Sequence, residues 1–390
     1  MLLRFLPLVF ATFLCIPAQK VIKLSSLKGG NVKNTIDLTP PYAVVVSAQS
    51  DDSSLLQQIF LETQDGQSNS MKALKDRKPS SNSGFLDPYA VSTPAYLSTP
   101  LTNAQFSSLT GFMYIMTKTQ SDAAGFSVYD VDKSQVIQID RNINGNTTIV
   151  FLNSNQQTAP SSSSTISAWL QSEDSGVKLY KGIPTDDAEM ESTQIFSNPV
   201  QMLKKVQFVF FPTVEKFSLS METFYIKTYN DVRFTIEPLY FDIDLTGTSS
   251  YHSTGFYMKS TGQYPKKVSV LCVRDTRYNG TTGANIIGNL PLPTGTVTVQ
   301  ENDAGQSNSM TVAPVDGILA WRTYAIGQNI TISSKDSQGG EYFVQYYVSQ
   351  GQQISSTVSS TTLTPQTTTK TSSLFGVFLP LLTALTASVL

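Results

Sequence analysis

The sequence predicts a mainly β protein made of tandem β-sandwich or jelly-roll modules. Its 390 residues contain many short segments rich in β-branched and aromatic side chains, and clusters of Gly, Pro, Asn, Asp and Ser separate these segments. That composition is typical of strands joined by turns. Short strands with frequent turns bury their apolar faces by packing two sheets together. The predicted strands are Tyr42 to Ala48, Gly111 to Thr117, Gln135 to Asp140, Thr147 to Leu152, Ile166 to Gln171, Val206 to Phe211, Phe217 to Met221, Val232 to Ile236, Val268 to Val273, Thr296 to Gln300 and Glu341 to Ser349.

Within these segments the apolar side chains recur at every second residue. Phe217, Leu219 and Met221, for example, alternate with two serines. A period of two places the apolar side chains on one face of a strand, whereas a helix would need a period near 3.6. One stretch differs, because Asp52 stands where it could cap a short amphipathic helix over residues 53–60.

The N-terminus has the layout of a secretory signal. Arg4 precedes an apolar stretch from Phe5 to Ile16, and the small residue Ala18 follows shortly afterwards. The apolar stretch is too short to span a bilayer and too apolar to begin a soluble domain. We therefore expect cleavage of residues 1–18, which leaves Gln19 as the first residue of the mature chain.

An internal repeat predicts that one fold occurs more than once. Gly66-Gln-Ser-Asn-Ser-Met71 returns as Gly305-Gln-Ser-Asn-Ser-Met310, and an aromatic strand follows each copy. Self-similarity of this kind is the signature of repeated modules. A strand, an acidic turn and a Gly-Pro exit over residues 166–184 echo residues 268–291 and indicate a middle module. With boundaries near Asp122 and Asn230, the predicted modules are residues 19–122, 123–230 and 231–350, and the alternative is two modules.

The C-terminal region resembles a signal for attachment of a glycosylphosphatidylinositol anchor. Residues 351–373 form a stalk of mainly Ser, Thr, Gln and Pro, and residues 374–390 are uncharged and apolar. Small residues, a polar spacer and an apolar tail in this order predict removal of the tail and lipid attachment between Ser355 and Ser373. The competing interpretation is an ordinary membrane span, against which Pro380 and the shortness of the tail argue.

Charge and cysteine content exclude one class of function and constrain the fold. There are 27 basic and 29 acidic residues without an extended basic run, so the chain lacks the basic patches of a nucleic-acid binder. Cys15 lies in the predicted signal, which leaves Cys272 without an intramolecular disulfide partner. Alternation places Cys272 on the same strand face as Val268 and Val270. We expect a buried core thiol, and the alternative is an intermolecular disulfide.

The sequence offers few residues for catalysis. Its one histidine, His252, lies in a Ser/Thr-rich loop, and no Gly-x-Ser-x-Gly elbow is present. A Ser-nucleophile hydrolase needs a histidine base beside its serine, and a zinc site built on Cys272 would need a second histidine. No catalytic residue, metal site or cofactor is therefore predicted. Paired carboxylates remain open for glycoside hydrolysis, and loops of this kind could also bind calcium. The candidate carboxylates are Asp186, Asp187, Glu189 and Glu191 in one loop, and Asp242 with Asp244 in a strand.

Three sequons predict N-glycosylation at the surface. They begin at Asn146, Asn279 and Asn329, and each lies in or beside a turn signal. Surface exposure is what this modification requires. Together with the predicted signal they indicate a glycosylated ectodomain.

The combination of signal, β modules, aromatic strands, stalk and tail resembles the nematode CUB-like domain proteins. The resemblance rests on units such as Val268 to Pro291, which run from a strand through an acidic turn to Gly-Asn-Leu-Pro, and it extends over residues 20–350. It implies a jelly-roll β-sandwich and a non-enzymatic extracellular role in the innate response to bacteria at epithelial surfaces. CUB domains proper carry paired cysteines, so no disulfide framework is transferred to this chain.

The sequence therefore predicts a non-enzymatic protein on the extracellular face of the plasma membrane, in membrane rafts, held by a lipid anchor. Its expected partners are a glycan or a protein, and nucleic acid is excluded. Aromatic residues could line a sugar-binding surface or simply fill the core. The alternatives are a carboxylate-dependent glycosidase on the same anchor and a structural component of the surface coat.

Overall fold

The computed structural model describes residues 19–78, 84–106, 109–139, 146–157, 163–184, 193–203, 206–239, 241–243, 248–264, 266–290, 295–313, 317–323, 326–335 and 340–354. Residues up to Gln353 belong to one compact unit. Of the second unit, Ile354–Leu390, only the first residue is described. The predicted signal, the anchor region Ser355 to Ser373 and the apolar tail therefore lie outside the described residues, and of the predicted stalk only residues 351–354 are described.

The first part of the chain forms a jelly roll of two four-stranded sheets. One sheet has the order β1-β8-β3-β6 and the other β2-β7-β4-β5, and every neighbouring pair is antiparallel. Alternation of successive strands between two sheets in this order defines the jelly roll. The strands are β1 Lys20–Lys23, β2 Asn34–Thr35, β3 Tyr42–Ser47, β4 Phe60–Thr63, β5 Ser68–Ser70, β6 Tyr89–Val91, β7 Ala95–Ser98 and β8 Phe112–Thr117.

The middle part repeats the same topology with one extra edge strand. Its sheets have the orders β10-β20-β12-β18 and β9-β11-β19-β13-β14, where β9 runs parallel to β11. The strands are β9 Phe126–Asp130, β10 Gln135–Ile139, β11 Thr147–Leu152, β12 Ser164–Gln171, β13 Gly176–Lys181, β14 Gln194–Asn198, β18 Phe217–Leu219, β19 Thr223–Tyr229 and β20 Val232–Glu237. A hairpin of β15 Val200–Leu203 and β16 Gln207–Val209 is inserted between β14 and β18.

The last part is a third jelly roll of the same order. Its sheets are β17-β22-β29-β24-β27 and β21-β23-β28-β25-β26, with the short strands β17 and β21 added at the edges. The strands are β17 Thr213–Val214, β21 Thr248–Ser249, β22 Ser253–Lys259, β23 Val268–Cys272, β24 Thr281–Asn289, β25 Thr296–Asp303, β26 Gln306–Val312, β27 Leu319–Arg322, β28 Asn329–Lys335 and β29 Glu341–Ser349. The mainly β, jelly-roll prediction is thus confirmed.

Helices are few and short in the described part of the chain. They are α1 Ser53–Leu56, α2 Met71–Lys75, α3 Asn103–Phe106 and α4 Lys118–Asp122, with 3-10 turns at Leu24–Ser26, Ser50–Asp52 and Ser154–Gln157. The predicted helix over residues 53–60 is wrong in extent, because Phe60 already begins β4. Asp52 precedes α1 without capping it, since its carboxylate accepts hydrogen bonds from the backbone N–H and hydroxyl of Thr110 instead.

The burial pattern explains why apolar residues alternate with polar ones in some strands and form a continuous run in others. β23 alternates between buried and exposed residues because one face packs on the core of the third jelly roll. β3 is buried throughout: Val44 and Val46 face the core of the first jelly roll, and Ala43 and Val45 pack against the second. Burial on both faces requires a continuous apolar run, which β3 has.

An apolar layer joins the first two jelly rolls. Tyr114 of β8 packs there with Val150 and Tyr225 of the second jelly roll. The rings of Tyr180 and Tyr225 stack with centroids 4.7 Å apart. Stacked aromatic pairs contribute about 0.5–1.5 kcal/mol beyond their buried area. The junction is therefore packed like a core.

Strand pairing differs from the predicted organisation at two points. The predicted boundary near Asn230 falls between β19 and β20, which belong to the same jelly roll, so the change to the third jelly roll comes after Glu237. The Gly-Gln-Ser-Asn-Ser-Met repeat occupies equivalent hairpins, β4–β5 and β25–β26. The weaker echo does not occupy equivalent strands. Residues 166–184 begin in β12, the third strand of the second jelly roll without its extra edge strand, whereas residues 268–291 begin in β23, the second strand of the third jelly roll. Independent folding of each module stays a prediction.

Candidate functional site

The three sequon asparagines lie at strand ends. Asn146 is exposed immediately before β11, and Asn279 is exposed between β23 and β24. The side-chain oxygen of Asn279 accepts a hydrogen bond from the backbone N–H of Gln352 at 2.7 Å. Asn329 opens β28 and is partly buried, with its oxygen 2.7 Å from Nδ2 of Asn302. Glycosylation at these positions stays a prediction.

Cys272 and His252 are placed by packing rather than arranged for chemistry. Cys272 is a buried free cysteine, on the same face as Val268 and Val270 as predicted, and burial raises the pKa of its thiol to about 12. His252 is half-buried against the ring of Phe211, and burial lowers its pKa. Its Nδ1 accepts the backbone N–H of Gln350 at 3.1 Å. A neutral, hydrogen-bonded imidazole of this kind holds the loop in place.

The carboxylates named from the sequence give no described pair. Asp242 forms an ion pair with Lys266, at 2.5 Å between Oδ1 and Nζ. Its partner Asp244, and the loop carrying Asp186, Asp187, Glu189 and Glu191, lie outside the described residues. In the ranges that the structure describes, no three His, Cys, Asp or Glu side chains are grouped to hold a metal ion.

Two ionisable groups with shifted pKa values, Lys75 and Asp130, lie in and behind a cleft at the junction of the first two jelly rolls, here called the junction cleft. Its volume is about 680 Å³. The first jelly roll contributes charged side chains from the loop after β3 and from the end of α2, and the second contributes residues that follow β9 and β11. The lining residues are Gln49, Asp51, Lys75, Asp76, Lys78, Asp132, Lys133 and Asn155.

Helix α2 and the residues that follow it bring Lys75 and Lys78 to this cleft. The side chain of Ser70 caps the helix by accepting the N–H of Ala73, and the helix ends with Lys75. Lys75 is 7% exposed, and among the described residues no carboxylate lies within ion-pair distance of its ammonium group. Burial lowers its pKa, and Asp130 and Asp132 partly oppose that effect. A long aliphatic stem that is buried while the charged end reaches a cleft is typical of lysine.

Asp130, at the end of β9, lies behind the cleft and is fully buried. Its Oδ1 accepts the backbone N–H of Asp132 at 3.2 Å, whereas its Oδ2 has no hydrogen-bond partner among the described residues. Lys78 Nζ is 3.8 Å from Oδ2 of Asp130 and 3.8 Å from Oδ1 of Asp132. These are ion-pair contacts and too long for hydrogen bonds.

Burial, reinforced by the negative charge of Asp132, raises the pKa of Asp130 to about 7. Burial disfavours a charged carboxylate because the protein solvates it less well than water. The ammonium group of Lys78 lies within ion-pair distance of both carboxylates, and Lys75 lines the same cleft. Perturbed ionisable groups that converge on a cleft are typical of binding and catalytic sites.

Sequence reasoning missed the junction cleft. Lys75 and Lys78 lie in a run of charged residues, and Asp130, Asp132 and Lys133 lie in another. Each run alone looks like a solvated loop. The two runs meet where Lys78 of the first jelly roll lies 3.8 Å from carboxylate oxygens of Asp130 and Asp132 of the second, and nothing local in the sequence encodes that contact.

Comparisons with known proteins identify one family. A family model described as a transmembrane glycoprotein matches residues 39–386. No curated protein matches the chain. Among solved structures, a β-porphyranase of glycoside hydrolase family 86 from the human gut bacterium Bacteroides plebeius is 10% identical, with a TM-score of 0.09. That alignment covers 58% of this chain and 34% of the porphyranase, so the chain spans about a third of that protein's length.

No helix in the described residues is long and apolar enough to cross a bilayer.

Proposed function

Because the chain belongs to the transmembrane glycoprotein family and is a surface or membrane-associated glycoprotein, we propose that it is a non-enzymatic binding protein displayed outside the cell. In this proposal the jelly rolls form an ectodomain held at the plasma membrane by a lipid attached between Ser355 and Ser373. The junction cleft binds an acidic glycan.

Three sequence features support display outside the cell. The signal-like residues 1–18 direct the chain into the secretory pathway, and the sequons at Asn146 and Asn279 are exposed, as glycosylation requires. The uncharged tail after the Ser/Thr-rich stalk supports a lipid anchor. A retained membrane span is the competing form of attachment.

The single observation that carries the binding proposal is Lys75. Its stem is buried, and it has no ion-pair partner among the described residues. Burial in a region of reduced dielectric strengthens its attraction to an anion. The carboxylate of a uronic acid is such an anion, and the amides of Gln49 and Asn155 and the carboxylate of Asp132 can bond sugar hydroxyls from the cleft wall.

The resemblance to CUB-like nematode proteins extends this proposal to a role in defence. An acidic-glycan receptor at an epithelial surface would contact the polysaccharides of bacteria. The runner-up function is a glycosidase that uses Asp186, Asp187 or Asp242, and a surface-coat role is the third. Hydrolysis distinguishes the second from the first, and induction by bacteria distinguishes the first from the third.

Binding can be tested with the full chain on transfected cells. The probe is a biotinylated alginate oligosaccharide, with a neutral dextran oligosaccharide of equal length beside it. Lys75→Met keeps the buried stem and removes the charge, so alginate binding should be lost, whereas Lys75→Arg should retain part of it. The matched control, Lys28→Met, alters an exposed lysine of the same jelly roll.

Equal alginate binding by Lys75→Met and the wild type, at equal surface levels, would refute the cleft as the site. Shortening of the oligosaccharide that is abolished by Asp242→Asn, or by Asp186→Asn with Asp187→Asn, would replace binding with hydrolysis.

A further inference from the structure

The inserted hairpin β15–β16 exposes apolar side chains. Val206 at its turn is 81% exposed, Phe208 is 58% exposed and Leu203 is 38% exposed. The corresponding connection of the first jelly roll, between β5 and β6, contains helix α2 instead. A contiguous group of apolar side chains at a surface marks an interaction site, whereas single ones are ordinary.

The base of the hairpin is firmly held. Asn198 clamps both ends of the insertion, because its Nδ2 donates to the carbonyl of Phe211 at 2.8 Å and its Oδ1 accepts the N–H of Phe211 at 3.0 Å. Val200 and Met202 pack with Phe211 and with Tyr347 of the third jelly roll. The exposed side chains therefore project from a fixed support and are not part of a loose loop.

The hairpin lies at the end of the third jelly roll from which the chain leaves toward its stalk. Gln207 accepts a hydrogen bond from Arg322 at 3.4 Å, and Arg322 is the last residue of β27. Arg322 pairs with Gly283, which lies two residues after the start of β24. The start of β24 also pairs with Ser349, the last residue of β29, so β27 and β29 finish at the same end of the sheet. The compact unit ends four residues later at Gln353, which bridges to Tyr278.

Aromatic and basic side chains lie at the same end. The rings of Tyr251 and Tyr278 stack with an interplanar angle of 14°, and the guanidinium of Arg277 lies over Tyr278. Tyrosines beside basic residues are enriched where proteins meet the headgroup region of a bilayer. Exposed apolar groups, tyrosines and arginines thus share the end of the third jelly roll at which the compact unit finishes.

We propose that this end of the molecule, with Leu203, Val206 and Phe208 at its tip, rests on the phospholipid bilayer. The apolar side chains enter the boundary between headgroups and acyl chains, at a depth of about 5–10 Å. This contact fixes the orientation of the three jelly rolls and adds to the lipid anchor, since a single weak membrane attachment is reversible. The inference rests on the proposed attachment to a bilayer.

The test places a fluorescent probe at the hairpin. The mature protein, with its attached lipid, is purified from cell membranes and reconstituted into phosphatidylcholine vesicles. N-glycans are trimmed in a parallel sample because Asn279 lies at the same end. Val206→Cys is labelled with an environment-sensitive maleimide, which the buried Cys272 does not compete for. The matched control is Val32→Cys, an exposed valine of the first jelly roll.

Emission from position 206 should shift to shorter wavelength and be quenched by nitroxide-labelled lipid, whereas position 32 should respond like a probe in water. Flotation of the protein with the vesicles reports attachment separately. Flotation without lipid quenching at position 206 would overturn the membrane contact and leave the anchor intact. Absence of flotation would overturn both. A concentration-dependent shift in detergent would assign the hairpin to contact between copies of the chain and so also overturn the proposal.

Discussion

Replacing Asp130 by Asn should make the second jelly roll more stable at pH 8 and leave its stability near pH 4 almost unchanged. The pKa of Asp130 is raised from 3.8 to about 7. At pH 4 the carboxyl is protonated in the folded state and partly protonated in the unfolded state, so it lowers the free energy of unfolding by only about 0.5 kcal/mol, and well below pH 3.8 it has no effect. Between these pKa values only the unfolded state loses its proton, and the free energy of unfolding falls by about 1.4 kcal/mol per pH unit.

The penalty reaches its full size above pH 7. The shift of about 3 units corresponds to about 4 kcal/mol, and this is an upper value because local opening relieves it. Asn keeps the carbonyl that accepts the N–H of Asp132 and has no charge to bury. Asp132→Asn should give part of the same gain, because the charge of Asp132 is one cause of the raised pKa.

Urea unfolding followed by tryptophan fluorescence measures this effect. The chain has two tryptophans, so Trp321→Phe leaves Trp169, which is buried in the second jelly roll and stacks on Phe234. Asp37→Asn, at a side chain that is 80% exposed, is the control and should not alter the pH dependence. The reasoning would be refuted if Asp130→Asn were less stable than the wild type at pH 8. It would also be refuted if the variant lost as much stability as the wild type between pH 4 and pH 8.

Three further predictions concern packing and modification. Cys272 should resist alkylation at pH 8, because a pKa of about 12 leaves roughly one thiol in 10,000 ionised, and rapid labelling would contradict this. Reducing agent should leave the thermal midpoint of the protein unchanged, and a fall in Tm would show that a disulfide supports the fold. Gly283→Ala should destabilise the third jelly roll by about 1–3 kcal/mol in urea unfolding, because the new Cβ would lie 2.3 Å from the hydroxyl of Tyr347. The control is Gly125→Ala, which has no positive φ and whose new Cβ would lie 3.0 Å from its nearest neighbour, and an equal loss there would refute the steric account. Asn146→Gln and Asn279→Gln should each remove one glycan, seen as one step in gel mobility; unchanged mobility would show that the sequon is not used.

The sequence reveals the strands with a clear pattern and misses those shaped by contacts. The predicted strands with alternating or continuous apolar residues, such as β3, β23 and β29, are present. β24 was not predicted, and Gly283 and Gly288 interrupt its run of strand-forming residues. Its glycines instead admit neighbouring groups: a Cβ at position 283 would meet the ring of Tyr347.

The candidate site was less accessible to sequence reasoning than the fold. Lys75 and Asp130 belong to different jelly rolls, and their perturbed pKa values arise from burial at a junction that no local pattern marks. The hairpin β15–β16 was partly anticipated as a strand from Val206 to Phe211. Its exposure depends on the clamp by Asn198 and on packing against Tyr347, which appear only in three dimensions.

The proposed function requires that a lipid hold this chain on the outer cell surface. A phospholipase that cuts the phosphoinositol link, applied to intact cells, tests it most directly. The mature protein, without residues 374–390, should be released into the medium. A variant with Leu381→Arg and Leu382→Arg should never reach the surface, because two charges at mid-membrane depth cost several kcal/mol. Resistance to the phospholipase, with residues 374–390 found by mass spectrometry in the mature protein, would contradict the claim and establish a retained membrane span.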